Sequence, residues 1–428
     1  MRWDTLIVAT CCAGSFAVAV IAQEPTTPAA VQPAAQPPSP PDPIKTMVDR
    51  LDLEKYRATI KGLTQFGDRR QGTDRNRAAI DWIEAQLKGS GCTNTERLTY
   101  TYPSPGASDP DAPARGAGGG RGRGTGEPAV SSETRRAREG GSSQFGTRSR
   151  AGVYQPDAPG AAPLDPRLRA LNAQPTTPGE RQDVYCTKIG TTHPEEMYIV
   201  GGHMDGHGWG EAANDDGSGT ALVMELARVF SAPDVQTDRS IRFVLWNNEE
   251  TGLNGAWAYV NQRKDLQGKE DPVGSKRYPE PKWLGMIQHD MMMWDHGMPG
   301  PDGKVSAEQR READVNIEFQ MNSKMAEASQ KLAWALKAAN DKYATDYPAA
   351  VGPHMTNTDS TPFMNLVAAL SLRENERGMQ IGAGWDPNWH QPSDVFATYT
   401  DKDFRLGLNA AQTTLSALAQ LTGATIKK

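Results

Sequence analysis

Short apolar runs and longer helical patterns alternate along the second half of the chain. Residues 198–200 and 241–246 are apolar runs with the length of buried strands. Residues 218–230 lie between them and carry apolar side chains at helical spacing, with Ser218 as a candidate N-cap. Strands that alternate with helices are typical of α/β proteins, in which ligands bind beyond the carboxyl ends of the strands. The pattern therefore predicts a ligand site where these two strands end.

The rest of the chain contains further elements of both kinds. Thr73 precedes a helical pattern that ends at the glycines of residues 89–91. Helical patterns also cover residues 326–344 and 406–421, and strand-like patterns cover residues 96–102, 182–189, 314–320 and 367–372. A chain of 428 residues with this many elements is long enough to bury the core of one large domain.

The first 43 residues differ from this pattern. Residues 1–22 begin with Arg2, continue as a small apolar run and end on Val-Ile-Ala, which predicts a secretory signal cleaved before Gln23. The run is too short and too rich in small residues for a transmembrane helix, so we expect no stable membrane span in the mature chain. Residues 23–43 are a Pro/Ala-rich linker. We therefore expect a secreted or periplasmic protein whose main domain covers residues 44–428.

Residues 103–180 interrupt the main domain with a low-complexity insert of Gly, Arg, Pro and Ser. The insert has few large apolar side chains, so it cannot form a core of its own. Its arginines would suit a basic arm that binds anionic polymers. A solvated surface loop is the simpler interpretation, because an exported protein rarely meets nucleic acid. The net charge of −6 also gives no indication of a nucleic-acid partner.

Two cysteines remain once the signal is removed. Cys11 and Cys12 leave with the signal, whereas Cys92 and Cys186 stay in the main domain. An oxidising compartment favours one disulfide between them. Two separate buried thiols are the alternative, and the sequence favours neither.

Acidic residues and a histidine follow the two predicted strands. His203 and Asp205 come after the first, and Glu249 and Glu250 after the second, while Asp215 opens an Asp-Asp pair ahead of the helix. Such side chains can hold divalent metal ions, which generate a hydroxide nucleophile near pH 7. Asp215 would bridge two metals, and Asp205 would accept the other ring N–H of His203. One glutamate would bind metal, and the other would accept a proton.

The order H-x-D, N-D-D-G-S-G and E-E-x-G resembles the co-catalytic two-zinc aminopeptidase family, whose relatives include glutamate carboxypeptidases and glutaminyl cyclases. That family has an Asp at a later strand end and a late His, and this chain offers Asp290 in LGMIQHD and His390 in NWHQPSD. The resemblance covers residues 50–100 and 183–420. It implies a three-layer α/β/α sandwich with a mixed, mostly parallel central sheet.

The resemblance also implies the roles of the site residues. Two zinc ions per chain would be bound, one by His203, Asp215 and Asp290 and the other by Asp215, Glu250 and His390. Glu249 would be the general base and Asp205 would support His203. A hydroxide shared by the two ions would attack the peptide carbonyl, and the Asp215-Asp216 peptide bond would be cis. The implied substrates are peptides or proteins with a free N-terminus, and no specific nucleic acid.

The chain departs from the family at two places. Relatives often have Ser-Asp-His-x-x-Phe where this chain has Asp359 followed by Ser360, and often a Tyr where this chain has Trp389, whose indole can only donate. A one-zinc glutaminyl cyclase, a carboxypeptidase on the same fold and a non-enzymatic surface protein remain alternatives. We interpret His296 as part of a solvated loop, and the remaining histidines as structural or surface residues: His193, His207 and His354. Asp394 is a candidate partner of His390. The side-chain preference and the oligomeric state stay open.

Overall fold

The computed structural model describes residues 42–103, 153–294, 296, 315–352, 358–374 and 386–427. The predictions for the signal, the linker, the Arg/Gly-rich centre of the insert and His354 lie outside these ranges. From Pro41 onward the chain forms one compact unit. None of the helices in the described ranges combines the length and the apolar character needed to cross a bilayer.

Helices and strands alternate through most of the described chain. The helices are α1 Pro43–Val48, α2 Leu53–Thr64, α3 Asp74–Gly89, α4 Pro166–Asn172, α5 Gly217–Phe230, α6 Asn254–Arg263, α7 Ala326–Tyr343 and α8 Asp401–Leu421. The strands are β1 Thr95–Tyr102, β2 Gly179–Lys188, β3 His193–His203, β4 Val235–Gln236, β5 Arg239–Trp246, β6 Lys282–His289, β7 Val315–Glu318, β8 Ala349–Gly352, β9 Ala369–Glu374 and β10 Thr425–Ile426.

Eight of these strands form one mixed sheet in the order β1-β2-β5-β3-β6-β9-β7-β8, and β4 pairs with β10 separately. The central strands β5, β3, β6 and β9 run parallel to one another. The pairs β1–β2, β2–β5 and β9–β7 are antiparallel. The predicted α/β fold with a mixed, mostly parallel sheet is confirmed.

The two faces of the sheet are covered by separate apolar cores. Side chains alternate along β5, so that Phe243 and Leu245 join the core under α2, α3, α5 and α8, and Val244 and Trp246 join the core under α6. Tyr259 of α6 packs its ring against Trp246 with centroids 5.4 Å apart. The sheet therefore lies between two helical layers.

The strand register sets the position of the candidate site. His203 is the partner of Trp246 on β5, and Gly201 is the partner of Gln288 on β6. Because these three strands run parallel, the residues that follow each of them reach the same edge of the sheet. Asp290, two residues after Gln288, is therefore level with His203.

Two predicted helix starts were wrong because nearby carboxylates cap the helices earlier. Asp216, not Ser218, is the N-cap of α5, and its side chain accepts a hydrogen bond from the Gly219 N–H at 2.8 Å. Ser218 instead donates its hydroxyl to the Asn214 carbonyl at 2.7 Å. The last helix begins at Asp401 rather than 406, since Thr400 and Asp403 form a capping box.

The end of the predicted insert is not the solvated loop that its composition indicates. Helix α4 begins after Asp165, whose carboxylate accepts from the backbone N–H groups of Arg167 and Leu168. Leu168 and Asn172 are buried, and the Asn172 amide donates to the Gly210 carbonyl at 2.8 Å. This part of the segment therefore packs on the loop that follows β3.

Cys92 and Cys186 form a disulfide, with Cα atoms 6.1 Å apart. It joins Cys92, in the segment between α3 and β1, to Cys186 on β2, where Cys186 faces Thr95 of β1. The sequence left this pairing open, and the structure decides for the disulfide.

Replacing both Cys92 and Cys186 with Ala is expected to lower the free energy of unfolding by about 2–5 kcal/mol. The physical reason is that the disulfide closes a loop of 94 residues in the unfolded chain. Urea unfolding of the two proteins measures the difference. A double variant as stable as the parent chain would show that the bond adds nothing to the fold.

Candidate metal centre

The end of β3 fixes His203 through its backbone and one ring nitrogen. The His203 N–H donates to the Asp216 carboxylate at 2.9 Å, and Thr220 donates to the His203 carbonyl at 2.7 Å. Its Nδ1 lies 2.9 Å from the Asp205 carbonyl oxygen. Because a carbonyl only accepts, Nδ1 carries the proton and Nε2 presents its lone pair to the site.

Asp205 therefore orients His203, but with its backbone carbonyl rather than its carboxylate as predicted. The carboxylate oxygen lies 4.0 Å from His203 Nδ1, beyond hydrogen-bond distance. It accepts from the Glu249 N–H at 3.0 Å instead. Asp205 thus ties the end of β3 to the glutamate pair that follows β5.

Asp215 lies between the two histidines of the predicted ligand set. Its Oδ1 is 3.2 Å from His203 Nε2, and its Oδ2 is 3.0 Å from His390 Nε2. The Asp215-Asp216 peptide bond is cis. One short carboxylate thus has an oxygen directed at each imidazole, which is the arrangement that a bridging ligand needs.

Asp290 and Glu250 complete the group, one on each side of Asp215. Asp290 Oδ1 lies 3.6 Å from His203 Nε2, and Glu250 Oε2 lies 2.9 Å from His390 Nε2. Arg373 donates to the other Asp290 oxygen, so that only one oxygen of that carboxylate faces His203.

His289 and Asp290 are directed to different surroundings, as strand alternation predicts. His289 is fully buried in the core, where Nε2 lies 2.8 Å from the Thr414 hydroxyl and Nδ1 lies 3.2 Å from the Gly201 carbonyl. Burial lowers the pKa of His289 to about 4. It is a neutral core residue, separate from the site.

The ring of His390 is fixed by its neighbours. Trp389 stacks on it with centroids 3.7 Å apart and an angle of 22° between the planes. The His390 carbonyl accepts from the Tyr154 N–H at 3.0 Å. The tryptophan that replaces the family's tyrosine thus supports the imidazole directly.

The donor atoms fit zinc in both spacing and chemistry. Ligand atoms about 2.0–2.2 Å from one tetrahedral zinc lie roughly 3.3 Å from each other, close to the distances of 2.9–3.6 Å among the atoms described above. The buried oxygens Asp215 Oδ2 and Glu250 Oε1 accept no hydrogen bond from the described residues. Buried carboxylate oxygens without hydrogen-bond donors have the chemistry that suits a cation ligand.

Comparison with known proteins agrees with this geometry. A family model described as peptidase family M28 matches residues 184–413, which is more than half of the chain. This chain belongs to peptidase family M28. The match contains the strands, the loops and the ligand candidates of the site, so the predicted family is confirmed.

Individual relatives of the M28 chain match over shorter stretches. Aminopeptidase YwaD of Bacillus subtilis is 37% identical over 81 residues, which are 19% of this chain and 17% of the relative. Carboxypeptidase Q of Xenopus laevis is 36% identical over 76 residues, 18% of this chain and 16% of the relative. The chain thus matches about a sixth of the length of these curated relatives.

One solved structure extends the likeness of the M28 chain to most of the fold. The aminopeptidase from Aneurinibacillus sp. strain AM-1 superposes with a TM-score of 0.56 at 19% identity, and the alignment covers 90% of this chain and 97% of that chain. At this identity the similarity shows a common fold.

The M28 chain also has site residues that sequence reasoning missed. His207 lies 3.1 Å from Glu250, although a single loop histidine gave no pattern to recognise. Asp394 was not missed but was given another partner: it accepts from the backbone N–H groups of Asn214 and Asp215, so it supports Asp215 and not the His390 ring as predicted.

Arg69 is the second residue that sequence reasoning missed. Its fully buried guanidinium donates to the carbonyls of Met204, Glu211 and Ala212 at 2.6–2.8 Å and fixes the loop between β3 and α5. Its place before the predicted helix at Thr73 gave no sign of this contact, which joins residues far apart in the sequence.

His296 differs from its prediction as well. The sequence indicates a solvated loop, but His296 is buried and its Nε2 contacts the Asp403 carboxylate at the start of α8. His193 is a surface residue as predicted, 3.3 Å from Glu195.

The two adjacent glutamates of the M28 chain have opposite electrostatic surroundings. Burial and the negative charges of Glu250, Asp359 and Asp290 raise the pKa of Glu249 well above its ordinary value, against the opposing effect of His203. Burial would also raise the pKa of Glu250, but His207 and His390 outweigh it and lower the value to about 2. Adjacent carboxyl groups with such different pKa values are suited to different roles, one that exchanges a proton and one that stays ionised.

Proposed function

We propose that this chain is a zinc-dependent exopeptidase that releases amino-terminal residues from peptides. The observation that carries the proposal is the position of Asp215, whose two oxygens lie 3.2 Å from His203 Nε2 and 3.0 Å from His390 Nε2. Asp290 beside His203 and Glu250 beside His390 would complete two zinc positions that share Asp215. Bound zinc would polarise the scissile carbonyl and lower the pKa of water to about 7.

Glu249 is the proton carrier in this proposal. Its side chain is 9% exposed, and its backbone N–H is held by Asp205. In the carboxylate form it accepts a proton from the attacking water, and in the carboxyl form it donates that proton to the nitrogen of the departing amine.

A curated relative supports a preference for free amino termini, because the chain matches an aminopeptidase from Bacillus subtilis. Asp205, Asp215, Glu249, Glu250 and Asp290 converge on one sheet edge, and Arg373 donates to Asp290. Two zinc ions would offset most of this negative charge, so the preference does not follow from the carboxylates themselves.

Hydrolysis of three short peptides tests the proposal. The full chain is assayed with a free dipeptide, its N-acetylated form and its C-terminal amide, before and after removal of metal by a chelator. We expect cleavage of the free and the amidated peptide only, loss of activity in the chelator and recovery with added zinc. Activity that survives complete metal removal would contradict the zinc assignment.

A carboxypeptidase is the second candidate, because the chain also matches carboxypeptidase Q. Such an enzyme would cleave the N-acetylated peptide and spare the amide, which is the reverse of the expected result. A glutaminyl cyclase would instead release ammonia from an N-terminal glutamine and leave all three peptides intact.

We further propose that the protein is exported. Two observations support this: the signal-like residues 1–22 and the disulfide between Cys92 and Cys186. Fractionation of the native cells should find the mature chain outside the cytoplasm. This chain should start at Gln23 and contain no free thiol. A cytoplasmic, uncleaved chain in which Cys92 and Cys186 are free thiols would overturn the proposal.

A further inference from the structure

His207 lies in the loop between β3 and α5, three residues after Met204. Its side chain is 16% exposed, and its Nε2 is 3.1 Å from Glu250 Oε2. We propose that His207 is a sixth metal-binding side chain, which gives a second imidazole to the zinc position of Glu250 and His390. The inference rests on the proposed function insofar as it takes the site to bind zinc.

The first argument is the convergence of donor atoms. His207 Nε2 lies 3.1 Å from His390 Nδ1 and 3.2 Å from His390 Nε2, and the two rings meet edge to face with centroids 4.1 Å apart. Ligand atoms of His207, Glu250 and His390 all lie within 4.8 Å of one another. Two zinc-bound nitrogens at about 2.0–2.1 Å from the metal are expected roughly 3.3 Å apart, close to the 3.2 Å between His207 Nε2 and His390 Nε2.

The second argument is that one hydrogen bond does not account for this contact. A neutral imidazole Nε2 either donates one proton or accepts one. If His207 Nε2 donates to Glu250, its close approach to the nitrogens of His390 has no role. A cation between the three side chains would bind His207 Nε2, His390 Nε2 and Glu250, whose Oε1 accepts no hydrogen bond from the described residues.

The third argument is that the backbone around His207 is fixed against the His390 loop. A Cβ added to Gly208 would lie 2.3 Å from the carbonyl carbon of His390, and one added to Gly210 would lie 2.7 Å from the Gln391 and Asp394 carbonyl oxygens. Only glycine permits this approach, and Gly208 also has a φ of +101°. The two loops therefore pack backbone to backbone, with His207 at the contact.

Arg69 holds the other side of the same loop. It donates to the Met204 carbonyl before His207 and to the Glu211 and Ala212 carbonyls after it. The loop is thus fixed at both ends and against its neighbour, which is the rigidity that a metal ligand requires.

The metal itself provides the test, without substrate. The full chain and its His207→Gln variant are stripped and titrated with cobalt(II) against a competing chelator, and the visible absorption of the bound cobalt reports its ligands. His193→Gln is the matched control, because His193 is 45% exposed and its ring contacts Glu195. His207→Asp restores an oxygen ligand at the same position.

We expect His207→Gln to weaken one of two cobalt positions by at least about tenfold, because loss of a group that merely orients a ligand already lowers metal affinity about 10–100-fold. The absorption of that position should change, the His193 control should match the parent chain, and His207→Asp should recover part of the affinity. Unchanged affinity and absorption in His207→Gln would overturn the proposal, even if peptide hydrolysis fell. A parent chain that binds no metal would instead overturn the proposed function.

Discussion

Glu249→Gln is expected to reduce kcat for peptide hydrolysis by about 10²–10⁴-fold, the usual contribution of a general base. Gln has the shape of Glu but cannot accept the proton of the attacking water. The backbone N–H of residue 249 would still donate to Asp205, so the loop after β5 should keep its conformation. Steady-state kinetics with a dipeptide substrate measures the effect, and elemental analysis measures zinc in the same samples.

The zinc content separates two roles for Glu249. Its carboxylate also lies near His203 and Glu250, within the distance that would allow it to bind a metal ion. Replacing a general base should leave the zinc content unchanged, whereas replacing a metal ligand should lower it. Glu327→Gln on α7 is the control, because that side chain is 83% exposed and pairs with Lys331. A variant at position 249 that loses zinc, or retains kcat within tenfold, would contradict the assignment as base.

Asp215→Asn is expected to have a second large effect, on metal binding and activity together. The amide keeps one ligating oxygen and replaces the other with an NH₂ group, which cannot bind zinc. Because the two oxygens of Asp215 face His203 and His390 separately, the loss should affect at least one zinc position directly. Loss of several kcal/mol of charge stabilisation corresponds to a decrease in kcat/KM of roughly 10²–10³-fold.

Equilibrium dialysis and elemental analysis compare this variant with Asp346→Asn, a substitution of an exposed aspartate outside the site. Circular dichroism would show that both proteins are folded. We expect fewer zinc ions per chain in Asp215→Asn than in the control. An Asp215→Asn protein with the metal content and affinity of the control would rule out a bridging role.

The central sheet and the strand-end residues could be predicted because their signals are local. The apolar run 198–200 lies within three residues of the end of β3 at His203, and the run 241–246 ends with β5. Parallel strands then bring the residues that follow them to one edge without any knowledge of distant contacts. Asp290 and His390 needed the family resemblance, since neither has a distinctive spacing from His203.

Long-range contacts account for most of the errors. His207 becomes a candidate ligand only because His390, 183 residues later, folds against it. Asp394 was expected beside His390, but its carboxylate binds the backbone of Asn214 and Asp215 across the site. Nothing in the local sequence distinguishes such a histidine or aspartate from an ordinary loop residue.

Helix α4 was missed for a different reason. The composition of the insert led us to expect no buried side chains, although Asp165 and Pro166 form a recognisable helix start. Two buried side chains, Leu168 and Asn172, are enough to fix this short helix because it packs on a neighbouring loop. Average composition over a long segment conceals such a short element.

The antiparallel pair β1–β2 explains how the fold accommodates so long a connection. Tyr102 and Gly179 are direct partners, so the segment between them leaves and re-enters the sheet on the same rung of the ladder, and the disulfide of Cys186 secures the strand to which it returns. Each doubling of a flexible connection adds only about 0.6 kcal/mol of closure entropy. Outside the residues that contact the loop after β3, a longer or shorter connection would therefore leave the sheet edge that carries His203 unchanged.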